Sequence, residues 1–395
     1  MSNTASESQP PLRLCRIVTV PITFATLLRE QINYIVEAGI DLTLVSSPGP
    51  ELDAIARDLP MLRCHSIPMA RKPSLGNDLY SLWTLAQFLR RERFDIIHSS
   101  TPKAGLFTAV AGVWAGTPIR IHTYTGQVWV EMHGLLRHIA READRLIGML
   151  DTHLYADSES QRSFLVAEGL VAARKIKVLG AGSISGVALR RFNPARALAM
   201  RAAMRHELGI TETARVIVFV GRVTKDKGIV ELIKAFHALS ERYNDVDLVL
   251  VGPLEPERDP LPLETLVELS NDRRIHTIGF TPQPENYLAM ADIFCLPTYR
   301  EGFGSVIIEA GAMKLPTVAT SVTGVVDAVV DGETGLFVPP KNTDLLAQGL
   351  QKMLDFPEMR QRMGEAAYEY AQRNFDAAVV NQAVVNEYFR LARGK

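Results

Sequence analysis

Two kinds of segment alternate from one end of this chain to the other. Short β-branched runs are separated by longer amphipathic stretches such as TLLREQINYIVEAG and GIVELIKAFHALSERY. The runs are RLCRIVTV, DLTLVSS, FDIIHSS, IRIHTYT, THLYADS and KIKVLG in the first half. VIVFVGRV, VDLVLVGP, IHTIGF, ADIFCLP and PTVATS follow in the second. With little two-residue hairpin chemistry between them, the runs are expected to pair in parallel, each crossing to the next through a helix. The expected class is α/β, with parallel sheets wrapped by helices. A chain of 395 residues exceeds one ordinary core and fits two domains of about 150–200 residues. The division is expected between Gly186 and Thr213, where FNPARALAMRAAMRHELGITETA supplies a turn and a polar helix. Two Rossmann-like halves of similar size result.

Composition excludes several classes. Hydrophobic residues make up 47%, charged residues 22%, and the formal net charge is -1. That balance gives no global attraction to nucleic acid. A slight positive excess falls in the first half, with 20 basic against 17 acidic residues up to residue 190. Cys15, Cys64 and Cys295 form no C-x-x-C pair and read as buried thiols of a reducing cytoplasm. Residues 1–11 (MSNTASESQPP) are polar and lack an apolar h-region, so a disordered tail is expected there, not a signal peptide. AGLFTAVAGVWAG (residues 104–116) is shorter than the roughly 18 residues of a membrane span and is expected to form a buried helix.

The chemistry concentrates in YREGFGSVIIEAGAMKLP (residues 299–316). ADIFCLP, the loop and VIIEAGAM read as strand, turn and helix, with Ser305 as the expected N-cap. Gly302 and Gly304 let backbone approach a ligand around Phe303. The helix start offers free N–H groups to a phosphate. Glu309, one turn in, can accept from two vicinal ribose hydroxyls, and Glu301 can face a polyhydroxylated group beyond the phosphates. GRVTKDKG (residues 221–228) follows the strand VIVFV and sets Arg222 and Lys227 across a tight loop, two cations suited to one diphosphate.

These motifs together resemble the retaining family-4 glycosyltransferases of the GT-B fold. Glu301 and Glu309 match the Glu-x7-Glu signature, and Arg222 and Lys227 match the Arg/Lys pair. FTPQPENYLAMADIFCLPTYREG and VTGVVDAVVDGETGLFVPP extend the likeness over most of the second half. HSSTPKAG, HTYTGQVW, DSESQRSFLVAEG and VLGAGSISGV resemble the subgroup that builds capsular and O-antigen polysaccharide on a lipid carrier.

The resemblance implies two Rossmann-like domains facing across a cleft. Residues 12–190 would bind a polyprenyl-diphosphate-linked acceptor, residues 191–375 a UDP-sugar, and a helix over 376–395 would cross back. It implies Glu301, Arg222 and Lys227 as catalytic residues, and Glu309, Gly302, Phe303, Gly304, Ser305, Gly221 and Phe280 as donor-binding. Lys103, His122, Thr125 and Gln127 are acceptor-side candidates, and His98 ends a strand on the same side. No cofactor and no metal is implied. Two departures stand out: relatives carry a Gly-Gly loop where Pro21-Ile22-Thr23-Phe24 stands here, and a His-Gly pair where Thr125-Gly126 stands. A histidine general base is therefore not assumed.

Asp245-Val246-Asp247 spells a D-x-D, but it begins a strand, whereas open α/β sheets bind ligands at carboxyl ends. A solvated edge is expected there. Arg137, Arg141 and Arg145 recur every four residues and predict one helical stripe. That stripe is a candidate contact for the anionic inner face of the cytoplasmic membrane, beside a core-facing reading of the same helix. A catalytically silent partner subunit and a GT-B sugar-nucleotide epimerase remain as rival functions.

Overall fold

The structure is a computed structural model that describes residues 10–70, 74–257 and 259–394, with the side chains of 197 and 198 excepted. The tail expected over 1–11 lies, up to residue 9, outside the described residues. Two parallel sheets organise the chain, as the alternation predicts. The first contains β1 (Arg13–Ile17), β2 (Asp41–Ser46), β3 (Arg63–Ser66), β4 (Ile96–Ser99), β5 (Ile119–Tyr124), β6 (His153–Ala156) and β7 (Ile176–Lys177). The second contains β8 (Arg215–Val220), β9 (Val246–Val251), β10 (Ile275–Gly279), β11 (Ile293–Leu296), β12 (Thr317–Thr320) and β13 (Gly335–Val338). Strand orders are β3-β2-β1-β4-β5-β6-β7 and β10-β9-β8-β11-β12-β13.

Both orders reverse direction once, between β1 and β4 and between β8 and β11. The loops after those strands diverge to opposite faces and leave a crevice at the carboxyl edge, where such sheets bind ligands. β8 and β11 pair directly, Ile217 beside Ile293. The loops GRVTKDKG and YREGFG, distant in sequence, therefore open onto one crevice.

β3 and β13 are absent from the sequence expectation. RCHS is a half-exposed edge strand without a β-branched residue, and GLFV follows the turn-rich DGETG. Cys64 lies on that edge strand and is only half-buried, whereas Cys15 and Cys295 are buried as expected. AGLFTAVAGVWAG belongs to the helix Pro102–Ala115. No described helix is long and apolar enough to cross a membrane.

The chain crosses between domains twice, and the two crossings touch. Val187 donates to Phe375 O (2.7 Å), Ala377 donates to Val187 O (2.9 Å), and Val187 bridges Asp376 in parallel. Beyond this point the helix Ala377–Arg393 lays Val384, Val385, Tyr388 and Leu391 into the core of the first domain. Buried side chains of this kind contribute about 1.5–3 kcal/mol each. The second domain keeps one continuous core from Val187 to Phe375.

Candidate functional site

The crevice of the second sheet gathers the charged residues singled out above. Arg222 lies between two carboxylates, Glu255 Oε2 at 3.0 Å and Asp226 Oδ2 at 3.2 Å. Asp226 also holds Arg300 (3.0 Å) and accepts the Thr224 hydroxyl (2.6 Å). Its backbone oxygen accepts from Tyr299 N (2.9 Å), so this residue ties the loop after β8 to the loop after β11. Burial alone would raise the Asp226 carboxyl, but Thr224, Arg222, Arg300 and Lys227 hold it down to about 2. Lys227 pairs directly with Glu301, 74 residues away. The two cations and the first glutamate are thus brought together.

Glu309 stands apart. It lies on the helix Ser305–Ala312, and no hydrogen bond or ion pair reaches its carboxylate among the described residues. Part of its surface meets solvent. Even so, burial pushes its carboxyl up to about 7, with Arg191 opposing the rise and Glu285 adding to it. Arg191 is itself paired to Glu285 at 2.6 Å. A pair of ligand hydroxyls donating to Glu309 stabilises the carboxylate and draws its proton off. A ligand so held is expected to bind more tightly as the pH rises through 7, which titrations on either side of that pH check.

The turn between the glutamates differs in detail from expectation. Gly304, at φ +83°, is the N-cap, and Ser305 is the first helical residue with no capping hydrogen bond. A left-handed cap suits glycine and displaces the serine by one position. Phe303, expected among the donor-binding residues, is buried, its ring centroid 4.9 Å from that of Phe375, so its side chain anchors the turn from behind. Gly221 opens the loop after β8 at φ +152°. Phe280, after β10, leaves its ring 58% exposed.

Across the crevice stands the first domain. A Cβ on Gly302 would lie 2.5 Å from Thr125 C and 2.9 Å from Gly126 N, so the domains meet backbone to backbone. Thr125 Oγ1 donates to Ser100 O (3.0 Å) and keeps the loop after β5 against the loop after β4. Gln127 is buried behind it, and its Nε2 has no partner among the described residues.

His122 is not at this interface. It is buried under the helix Pro102–Ala115, bonded to Ser99 Oγ (2.8 Å), and burial with Arg16 nearby pushes its pKa down to about 3. His98 is likewise buried, between Tyr388 and Thr123. Lys103 pairs with Asp78 (2.8 Å) and reaches Ala70 O (2.5 Å). Pro21-Ile22-Thr23-Phe24 folds partly into the short helix Ile22–Ala25, with Thr23 and Phe24 buried, so no glycine loop faces the crevice there.

Asp245 is exposed and pairs with Arg215, while Asp247 is hydrogen-bonded to His276 (2.9 Å), so the D-x-D begins its strand at a solvated edge, as expected. Among the described residues no group of three or more His, Cys, Asp or Glu could hold a metal ion. On the helix Gly134–Leu150 the arginines do not form a stripe of free cations. Arg141 turns to Glu168 O (2.5 Å), Arg145 lies 3.7 Å from Glu142, and Arg137 covers Trp129. Beside the exposed Arg137, His138 and Arg145, this helix also exposes apolar side chains: Leu135 is 72% and Leu136 68% accessible, with Ile139 one turn on and Met149 at the far end.

The two-domain α/β fold thus sets an acidic turn, an Arg/Lys loop and a helix start at one switch point. Residues 200–370 match the family of group 1 glycosyl transferases, and residues 24–182 match the glycosyl transferase 4-like domain. The chain belongs to the group 1 glycosyltransferases and has the GT-B fold. It is 30% identical over 386 residues to the capsular polysaccharide biosynthesis glycosyltransferase CapM of Staphylococcus aureus, spanning 97% of this chain and 99% of that one. A D-inositol 3-phosphate glycosyltransferase of Corynebacterium efficiens is 43% identical over 181 residues, 44% of this chain and 42% of that protein. Among solved structures, Anabaena Alr3699/HepE in complex with UDP-glucose superposes with a TM-score of 0.80 at 20% identity, covering 96% of this chain and 99% of that one. WaaG, a glycosyltransferase involved in lipopolysaccharide biosynthesis, superposes with a TM-score of 0.70 at 16% identity over 95% and 99% of the chains.

Proposed function

We propose that this chain is a retaining, metal-independent glycosyltransferase that moves a sugar from UDP to a polyprenyl-diphosphate-linked acceptor in surface-polysaccharide assembly. The carrying observation is that Arg222, Lys227 and Glu301 meet in one crevice opposite Thr125, with Glu309 on the helix that starts at the same turn. Kinship with CapM supports the polysaccharide setting, and the UDP-glucose complex of the Anabaena protein supports the donor class.

The donor diphosphate takes Arg222 and Lys227, freeing Glu301 for the sugar hydroxyls. Glu309 takes the ribose, and Phe280 offers a face to the base. The acceptor hydroxyl approaches the anomeric carbon from the side of the leaving group. As the bond from carbon to phosphate oxygen breaks, the new carbon–oxygen bond forms, and the hydroxyl proton passes to the departing phosphate. Arg222, Lys227 and the helix start stabilise the charge that develops there.

Access to a lipid-linked acceptor uses apolar surface. Helices of a parallel α/β domain run back against their strands, so their starts lie at the crevice edge. Leu135, Leu136 and Ile139 near the start of one helix, and Leu75, Leu79, Tyr80 and Trp83 on Leu75–Glu92, are exposed. Peripheral contact with the inner face of the cytoplasmic membrane follows through these side chains.

The test is UDP release across UDP-sugars with and without a polyprenyl-diphosphate sugar. Release that requires the acceptor and a product with the donor's anomeric configuration are expected. Conversion of a UDP-sugar without acceptor would instead identify an epimerase, and an inverted product would refute retention.

A further inference from the structure

The segments DSESQRSF and VTGVVDAV take no part in the proposed chemistry, yet they meet across the domain interface. Ser158 is buried and caps the helix Glu159–Ala167, accepting from Gln161 N (3.1 Å). The same hydroxyl donates to Gly302 O (2.9 Å), the carbonyl directly after Glu301. Two residues on, Ser160 N donates to both Asp327 carboxylate oxygens (3.2 and 3.3 Å), and the Ser160 hydroxyl donates to the same carboxylate. Gly324 N closes the circuit on Ser160 Oγ (2.8 Å). Gly324 itself abuts the turn, since a Cβ there would lie 2.5 Å from Gly302 O. Tyr370 fixes this segment from behind, donating to Asp327 O (3.0 Å).

We propose that Ser158, Ser160 and Asp327 are positioning residues that latch the two domains closed and, through Gly302 O, seat the Glu301 turn against Thr125. A carboxylate from one domain satisfies the Ser160 N–H at a helix start of the other, where negative charge is favoured. The contact is therefore made only when the domains are closed. Ser160 and Asp327 are half-buried, so the latch can open to water when product leaves. Its effect on turnover rests on the glycosyl-transfer reading. Its effect on closure does not.

The test is a swap. Ser160→Asp sets two carboxylates against each other. It should enlarge the radius of gyration in small-angle X-ray scattering and lower kcat about tenfold or more, because a misplaced turn loses reaction geometry. UDP affinity should change by less than about twofold, since the groups assigned to UDP all lie in the second domain. Adding Asp327→Ser should restore both compactness and kcat. Asp327→Asn, of the same shape, should fall between. Glu131→Gln breaks the exposed cross-domain pair with Lys341 (2.9 Å) and should leave both readouts unchanged. A swapped variant no more compact than Ser160→Asp alone, or a Ser160→Asp protein as compact as wild type, overturns the latch. If no variant and no wild type transfers sugar, the scattering still decides closure, and only the catalytic reading fails.

Discussion

Arg222→Ala is expected to lower kcat/KM by about 2–4 kcal/mol of transition-state stabilisation, the cost of removing one preorganised donor from a developing charge. The structure explains why the full cost should appear. Asp226 and Glu255 hold the guanidinium in place before substrate arrives, so little reorganisation accompanies the reaction. The loop itself should survive the change, because Asp226 keeps Arg300 and Thr224 as partners. Arg222→Lys keeps the charge but not the planar fork and should recover only part of the loss. Steady-state kinetics alongside a thermal melt separate the two effects. A melting temperature near wild type with activity reduced less than about threefold would remove Arg222 from the transition state.

The second large effect is steric. Gly302→Ala places a Cβ 2.5–2.9 Å from Thr125 and Gly126 backbone atoms of the facing domain, and backbone cannot step aside as a flexible side chain can. Either the turn shifts or the domains part, and both move Glu301. A displacement of about 1 Å at a reacting centre costs on the order of a hundredfold in rate, so a loss of that size in kcat is expected. UDP binding should persist. Gly76→Ala is the control: nothing lies within 4 Å of the added carbon, and the helical site should gain up to about 1 kcal/mol. Turnover by Gly302→Ala within a few-fold of wild type would mean that the domains do not react in this closed arrangement.

Much of the proposed donor site could be proposed from sequence because its candidate residues sit in two short loops. Arg222 and Lys227 share one loop, Glu301 and Glu309 bracket one turn, and the strands before them announce themselves by β-branched runs. Strands without that signal stayed hidden. RCHS lies at a half-exposed edge that makes no demand for apolar residues. What sequence could not carry was the partner of each side chain. Four-residue spacing puts Arg137, Arg141 and Arg145 on one helical face, but Glu168, at the end of another helix, captures Arg141. Alternation along β5 turns His122 away from Thr125, yet says nothing of the helix that buries it. Asp327 and Ser160 lie 167 residues apart in different domains, so their contact exists only once the halves have docked.

The most direct test of the central claim is calorimetric titration of UDP into the wild-type protein in EDTA. If Arg222, Lys227 and Glu309 form a nucleoside-diphosphate site, UDP binds in the chelator, and binding weakens in Arg222→Ala and in Glu309→Gln. Absence of binding in EDTA that manganese restores, or affinity unchanged in both variants, would contradict it.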